Sequence, residues 1–298
     1  MTKVNLFIAG MSKCGTTSLH NYLNLHENIY MSNFKEPQYF IRNQLKFPHQ
    51  GPGDRNIDDI IIHSTDYEAL FEGSEEYQIR GESSSDYLYF EKSAEEIKEY
   101  NPDAKIILML RNPVDRAYSA YTHLTRDGRE TKTFEFALEH EEERINLNYG
   151  CMWHLKSMSL YYDKVKHFID VFGVDQVKVV IFDDFKEDSV IVLNSICDFL
   201  EIPKSNFKDE DLINYNISGV PKNKKIMSLV QNKWLKQIIK NMIPSAKAKE
   251  KVKGVIFSKL LTKEKMQFET RIRLIDYFSN DINKLEELLN INLSKWKK

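Results

Sequence analysis

Residues 4–23 read VNLFIAGMSKCGTTSLHNYL, and this stretch decides the fold. "VNLFIAG" is an apolar run without alternation, as expected of a strand covered on both faces. It ends at Gly10. A second glycine, Gly15, precedes "TTSLHNYLNLH" (16–26), which has helical spacing. A strand, a glycine-bounded loop and a helix in that order direct backbone N–H groups and the positive end of a helix dipole at an anion. Thr16, Thr17 and Ser18 add hydroxyl donors, and Cys14 and Gly15 complete the loop. The lysine is out of place for nucleotide hydrolysis. In the pattern G-x-x-x-x-G-K-[ST] the lysine follows the second glycine and the next hydroxyl holds magnesium. Here Thr16 takes the lysine position and Lys13 lies inside the loop, over the bound group. The loop predicts anion binding and gives weak support to ATP hydrolysis.

The same unit recurs along the chain. "AKIILMLRN" (104–112) predicts a buried strand and "VDRAYSAYTHLTRD" (114–127) a helix. "VKVVIFDD" (177–184) predicts a third strand and "SVIVLNSICDFLEI" (189–202) the helix after it. Strands alternating with helices predict an α/β fold: a P-loop-type, doubly wound parallel sheet flanked by helices. Ligands in such sheets sit beyond the carboxyl ends of the strands. Residues 41–66 and 205–225 read as loops. The C-terminal part has helical spacing broken at Pro244, and a single domain over 1–298 is expected.

Composition bounds the reading. The chain has 298 residues, 42% hydrophobic and 29% charged, with a formal net charge of −2. That is enough length for a sizeable core. An apolar 18-mer is lacking, so no membrane span is predicted. The first ten residues do not read as a signal peptide, and a cytoplasmic setting is expected. Cys14, Cys151 and Cys197 are too scattered for a disulfide framework or a zinc site. From Lys222 onward 19 Lys/Arg face 7 Asp/Glu, a local balance of +12. Most of these lysines read as a solvated helical face, and without an aromatic platform they do not indicate nucleic-acid binding.

A second anion site follows from "LMLRNPVDRAYSAYTH" (108–123). The strand runs straight into Arg111; Asn112 suits an N-cap and Pro113 the first helical position. Arg111 thus stands at the ligand end of the sheet, with Ser119 two turns on and His123 one turn further on the same face. A guanidinium fork plus a hydroxyl suits a separate phosphate. A metal-binding strand of an NTPase would end in aspartate; this one ends in arginine.

The two motifs together resemble the sulfotransferase superfamily, which uses 3'-phosphoadenosine 5'-phosphosulfate (PAPS). The first loop is similar to the family's 5'-phosphosulfate loop, and Arg111 with Ser119 to its 3'-phosphate site. "FKEPQYF" (34–40) resembles the segment bearing the catalytic carboxylate in the carbohydrate-type branch, the heparan sulfate enzymes and their bacterial relatives. "GESSSDYLYF" (81–90) and residues 159–202 are similar to that branch, and "NISGVPKNKK" (216–225) resembles its cofactor-covering loop. Ser83 stands where the branch often has lysine. The resemblance implies PAPS as co-substrate, no metal, and a hydroxyl acceptor such as an oligosaccharide, polysaccharide or glycolipid.

Sulfuryl transfer needs positioning and electrostatics more than covalent help. Lys13 is the candidate to stabilise the leaving phosphate. Glu36 is the candidate base, since Pro37 disfavours helix there and exposes the carboxylate. His123 is a rival base or an orienter. Lys35, Glu82 and Ser85 are candidates to line the acceptor pocket, and Lys222, Lys224 and Lys225 to close over the nucleotide. The loop's N–H groups are expected to lower the Cys14 pKa without making the thiol catalytic. Two other readings remain open at this stage. One is a Mg-dependent kinase or NTPase, for which "VVIFDD" (179–184) resembles a metal-binding strand. The other is a non-catalytic adenine-nucleotide module, which would not need Glu36.

Overall fold

The computed structural model describes residues 3–55, 67–205, 207, 220–221, 261–262 and 265–298. Five parallel strands form the central sheet in the order β2-β3-β1-β4-β5. They are β1 (Leu6–Gly10), β2 (Ile29–Met31), β3 (Ile79–Ser83), β4 (Lys105–Leu110) and β5 (Val177–Ile181). β1 is central: Leu6 pairs with Gly81 of β3 on one side and with Lys105 of β4 on the other. Leu6, Phe7, Ile8 and Ala9 are wholly buried, which is why the stretch shows no polar alternation.

From β1 the chain passes through α1 (Thr16–Leu23) to β2, leaving room for β3 to insert between β1 and β2. β4 and β5 then extend the other side. Strand order therefore reverses beside β1, the place where doubly wound sheets open a ligand crevice. The carboxyl ends of β1, β3 and β4 deliver residues 11–16, 83–86 and 111 to that crevice.

α2 (Ser93–Tyr100) follows β3, and α3 (Pro113–Arg126) follows β4. Asn112 caps α3 as expected, its side chain accepting from the N–H groups of Val114 and Asp115 at 3.0 and 3.4 Å. The short helices α4 (Phe134–Glu139) and α5 (Glu141–Asn146) precede α6 (Tyr162–Phe172). β5 stops at Ile181, three residues sooner than its sequence suggests. Residues Phe182–Glu187 turn into α7, with Asp183 and Asp184 in the first turn, where carboxylates favour a helix start. α8 (Ser189–Leu200) follows, capped by Asp188.

The long helix α9 (Phe268–Leu289) buries Leu274, Phe278, Ile282 and Leu285 in the same core cluster as the sheet. Its Asp281 accepts from the N–H groups of Tyr161 and Tyr162, at 2.8 and 3.1 Å, and so fixes the start of α6. Asp54 pins the stretch before it: it pairs with Arg129 and accepts from Trp153 Nε1 at 3.2 Å and from the Gly150 N–H at 2.9 Å. Among the described residues no helix is long and apolar enough to cross a membrane.

Candidate active site

The loop after β1 has the shape its glycines require. Gly15 has φ +93°, and a Cβ there would meet the Phe182 ring at 2.8 Å. Lys13 is also left-handed, with φ 71°. Such backbone persists in a lysine only where its surroundings hold it, and it marks functional loops. Among the described residues the N–H groups of Lys13, Gly15, Thr16 and Thr17 have no protein acceptor, as expected of the orphan donors opening a helix. Unpaired donors at a helix start, beside an ammonium, can receive an anion.

Cys14 departs from expectation. Its side chain turns inward and is wholly buried, and its N–H donates to the Met11 carbonyl at 3.1 Å. Burial pushes the thiol pKa up, overriding the nearby arginines, rather than down. Thr16 and Ser18 are buried at the helix start, and Thr17 is half-buried.

Lys13 leans on α3. Its Nζ lies 3.3 Å from His123 Nδ1, which also receives Arg126 Nη2 at 2.7 Å, while Nε2 faces Asp127 at 3.4 Å. Two cationic donors on Nδ1 require its lone pair, so the proton sits on Nε2. Burial first, and then the Lys13 charge, hold the imidazole pKa well below its usual value. Both ring nitrogens are engaged, Nδ1 by two cationic side chains and Nε2 by Asp127. Burial, aided by Arg126, lowers the Lys13 pKa to about 8.

Arg111 leaves the end of β4 and donates to the Lys13 carbonyl at 3.3 Å. Its guanidinium stacks 4.8 Å from the centre of the Phe182 ring. Phe182 thus supports both Gly15 and Arg111, a role invisible while "VVIFDD" is read as a strand. The resemblance of that segment to a metal-binding strand also dissolves, because Asp183 and Asp184 belong to α7. Ser119 is half-buried on α3, and its hydroxyl makes no bond among the described residues. Arg116, which sequence reasoning passed over, is wholly buried beneath the loop. It donates to the Ser12 carbonyl at 3.2 Å and the Ser12 hydroxyl at 3.1 Å, and to the carbonyls of His154 and Leu155. Its signal is faint: one arginine inside an otherwise amphipathic helix.

The carboxylate end is built from two chain segments. Glu36 and Gln38 flank Pro37 with φ values of 60° and 53°. This left-handed turn is laced to the end of β3. Glu36 N–H donates to the Ser83 carbonyl at 3.0 Å, and Gln38 N–H donates to the Ser84 hydroxyl at 3.0 Å. The Glu36 carboxylate accepts from the Ser85 N–H at 2.7 Å and the Ser85 hydroxyl at 2.9 Å. Lys35 Nζ completes the set, 2.5 Å from Glu36 Oε1. Lys35, Glu36 and Ser85 therefore meet in one cluster.

Glu82 is linked to the same turn through the Ser84 hydroxyl, which accepts from the Gln38 N–H and donates to Glu82. Glu82 is wholly buried, accepting from Tyr87 OH at 2.6 Å, Ser84 Oγ at 2.8 Å and Tyr67 OH at 3.2 Å. Burial raises its pKa to about 7. Lys222, Lys224 and Lys225 lie outside the described residues.

A parallel sheet with a glycine-bounded loop after its central strand, a lysine inside that loop and an arginine at the end of the next strand defines a class of P-loop-type α/β protein. The sulfotransferase family model (Sulfotransfer_3) matches residues 5–206, and the chain belongs to that family. It is similar over its whole length to the crystal structure of a sulfotransferase from Alicyclobacillus acidocaldarius, with 33% identity, a TM-score of 0.79 and 100% of both chains covered. It is 23% identical to human carbohydrate sulfotransferase 15, over 70% of this chain and 46% of that protein. It is 26% identical to the bifunctional heparan sulfate N-deacetylase/N-sulfotransferase 1 of Caenorhabditis elegans, over 72% of this chain and 24% of that protein. The chain thus spans about half the length, or less, of these curated relatives.

Proposed function

We propose that the protein transfers a sulfuryl group from PAPS to a hydroxyl of a carbohydrate acceptor by in-line displacement. The observation that carries this reading is the meeting of three strand ends: Lys13 after β1, the Glu36–Ser85 pair at β3, and Arg111 after β4, bonded to the Lys13 carbonyl. The carbohydrate acceptor is supported by the relatives' names and by the turn at Glu36.

The loop N–H groups and Lys13 bind the 5' phosphosulfate, and Arg111 with Ser119 takes the 3' phosphate. Glu36 accepts the proton of the acceptor hydroxyl as its oxygen bonds to sulfur. The bond from sulfur to the bridging oxygen breaks, and Lys13 stabilises the charge that gathers on the leaving phosphate. His123 and Arg126 keep the Lys13 amine aimed at that oxygen. Ser85 and Lys35 hold the Glu36 carboxylate in one orientation, so little reorganisation is needed when the proton arrives. This chemistry balances with PAPS and acceptor alone: adenosine 3',5'-bisphosphate leaves and the sulfate ester remains.

The test is incubation with labelled PAPS and a panel of glycans, read by mass spectrometry for an added sulfate, with calorimetry of nucleotide binding beside it. Adenosine 3',5'-bisphosphate should bind better than ATP-Mg. Arg111→Ala should weaken the bisphosphate by about tenfold or more while barely affecting AMP. Equal or better affinity for ATP-Mg would overturn the reading.

A further inference from the structure

The turn that presents Glu36 is strained. Glu36 and Gln38 stand at φ 60° and 53°, and such backbone persists in these residues only where their surroundings hold it. The Glu36 N–H goes to the Ser83 carbonyl at 3.0 Å. The next amides go to side chains instead. Gln38 N–H donates to the Ser84 hydroxyl at 3.0 Å, and Phe40 N–H to the Tyr87 hydroxyl at 3.5 Å. Gln38 and Phe40 are both buried, where an amide without a partner is costly.

A hydroxyl that receives one proton still has its own to give. Ser84 donates to Glu82 Oε2 at 2.8 Å, and Tyr87 donates to Glu82 Oε1 at 2.6 Å. Tyr67 OH adds a third bond at 3.2 Å. Two chains of hydrogen bonds thus run from the backbone of the turn, each through one hydroxyl, to a single wholly buried carboxyl group. An ionised carboxylate can only accept. It therefore fixes the direction of both hydroxyls and keeps a lone pair of each facing its amide.

We propose that Glu82 is a positioning residue for the base: through Ser84 and Tyr87 it holds residues 36–40 in the turn that aims the Glu36 carboxylate at the acceptor. This inference rests on the sulfuryl-transfer reading, with Glu36 as the base. A proton on Glu82 reverses one of the chains, because a carboxylic acid donates where the carboxylate accepted. Burial, opposed by the hydroxyls of Tyr87, Ser84 and Tyr67 and aided by the Glu36 charge, raises the Glu82 pKa to about 7. Above that value both chains run toward Glu82. As pH falls through it, the hold on the turn weakens.

The experiment uses the full chain and three measurements: transfer from labelled PAPS to N-acetylglucosamine, galactose and hyaluronan oligosaccharides, hydrogen exchange over residues 34–41, and calorimetry of adenosine 3',5'-bisphosphate. Ser84→Ala should lower kcat about tenfold, the order expected for one lost hydrogen bond, and speed exchange at 34–41. The KM for PAPS and the bisphosphate affinity should stay as in the wild type. Ser84→Thr keeps the hydroxyl and should restore kcat. Wild-type kcat should fall as pH drops through about 7, and Glu82→Gln, which does not ionise, should lose that step. If Glu82→Gln folds poorly, the two Ser84 variants carry the test. An undiminished kcat in Ser84→Ala, or a step near pH 7 that persists in Glu82→Gln, overturns this inference alone. Tight bisphosphate binding with no transfer by the wild type to any glycan overturns the function reading, and this inference with it.

Discussion

Lys13 Nζ stands 3.3 Å from His123 Nδ1 although 110 residues separate them in sequence. The contact ties the loop after β1 to the helix that follows Arg111. Arg126 donates to the same nitrogen, so Lys13 shares its acceptor with another cation inside a buried pocket. This crowding, added to burial, sets the lysine's protonation.

The first prediction concerns pH. Lys13 has its pKa lowered to about 8 by burial and then by Arg126. In the free enzyme the amine is charged well below that value and neutral above it. Affinity for adenosine 3',5'-bisphosphate should therefore be full at lower pH and fall as pH rises through about 8. Lys13→Arg stays charged and should flatten the profile. Calorimetry from about pH 6.5 to 9.5 checks this, since the interval brackets the change. A wild-type affinity that does not vary with pH would contradict it.

Glu36 and Lys13 should separate in their kinetics. Glu36→Gln should reduce turnover about 100- to 10,000-fold, the range for losing a general base, while bisphosphate affinity holds. Lys13→Ala should reduce kcat about 100- to 1,000-fold, more than it raises the KM for PAPS, because the charge it meets develops in the transition state. If only KM rises in Lys13→Ala, the lysine binds and does not stabilise the leaving group.

Gly15→Ala should destabilise the protein and weaken anion binding together. The left-handed backbone costs an alanine about 1–2 kcal/mol. Its Cβ must also displace the Phe182 ring, which supports Arg111. Adding Phe182→Ala to Gly15→Ala removes the collision, so the two losses in stability should be less than additive in a double-mutant cycle. Strict additivity in chemical denaturation would show that the ring gives way freely.

Asp54→Ala should cost about 3–5 kcal/mol, because it strands the buried Arg129 charge. It also leaves Trp153 Nε1 and the Gly150 N–H without their acceptor. Asp54→Asn keeps one acceptor oxygen and should lose less. Thermal and urea unfolding measure both, and a neutral Asp54→Ala would mean that the clamp is dispensable.

Two of the central strands were hidden from pattern reading. β2 is only Ile29–Met31, too short for any period to show. β3, "IRGES", is wholly buried yet holds Arg80 and Glu82. Arg80 is satisfied by the Lys3 carbonyl at 3.2 Å and by the Tyr77 carbonyl, and Glu82 by two tyrosines and a serine distant in sequence or around a turn. Apolar periodicity cannot reveal a strand whose charged groups are neutralised by tertiary partners. The end of β5 was misread for a related reason: "VVIFDD" is apolar enough to continue, but Phe182 is drawn off to cover Gly15 and Arg111.

What the sequence determined by itself is local. A glycine-bounded loop between a buried strand and a helix, and an arginine before an Asn-Pro helix start, follow from backbone geometry, capping and burial acting over a few residues. They suffice to place Lys13 and Arg111, the two candidate anion binders, at the same edge of a parallel sheet. What only the tertiary structure decided is how the side chains are held and charged. The tautomer of His123, the weakened basicity of Lys13, the inward turn of Cys14 and the burial of Glu82 each depend on neighbours far along the chain. Their cause is desolvation and charge at close range, which a linear order of residues does not contain.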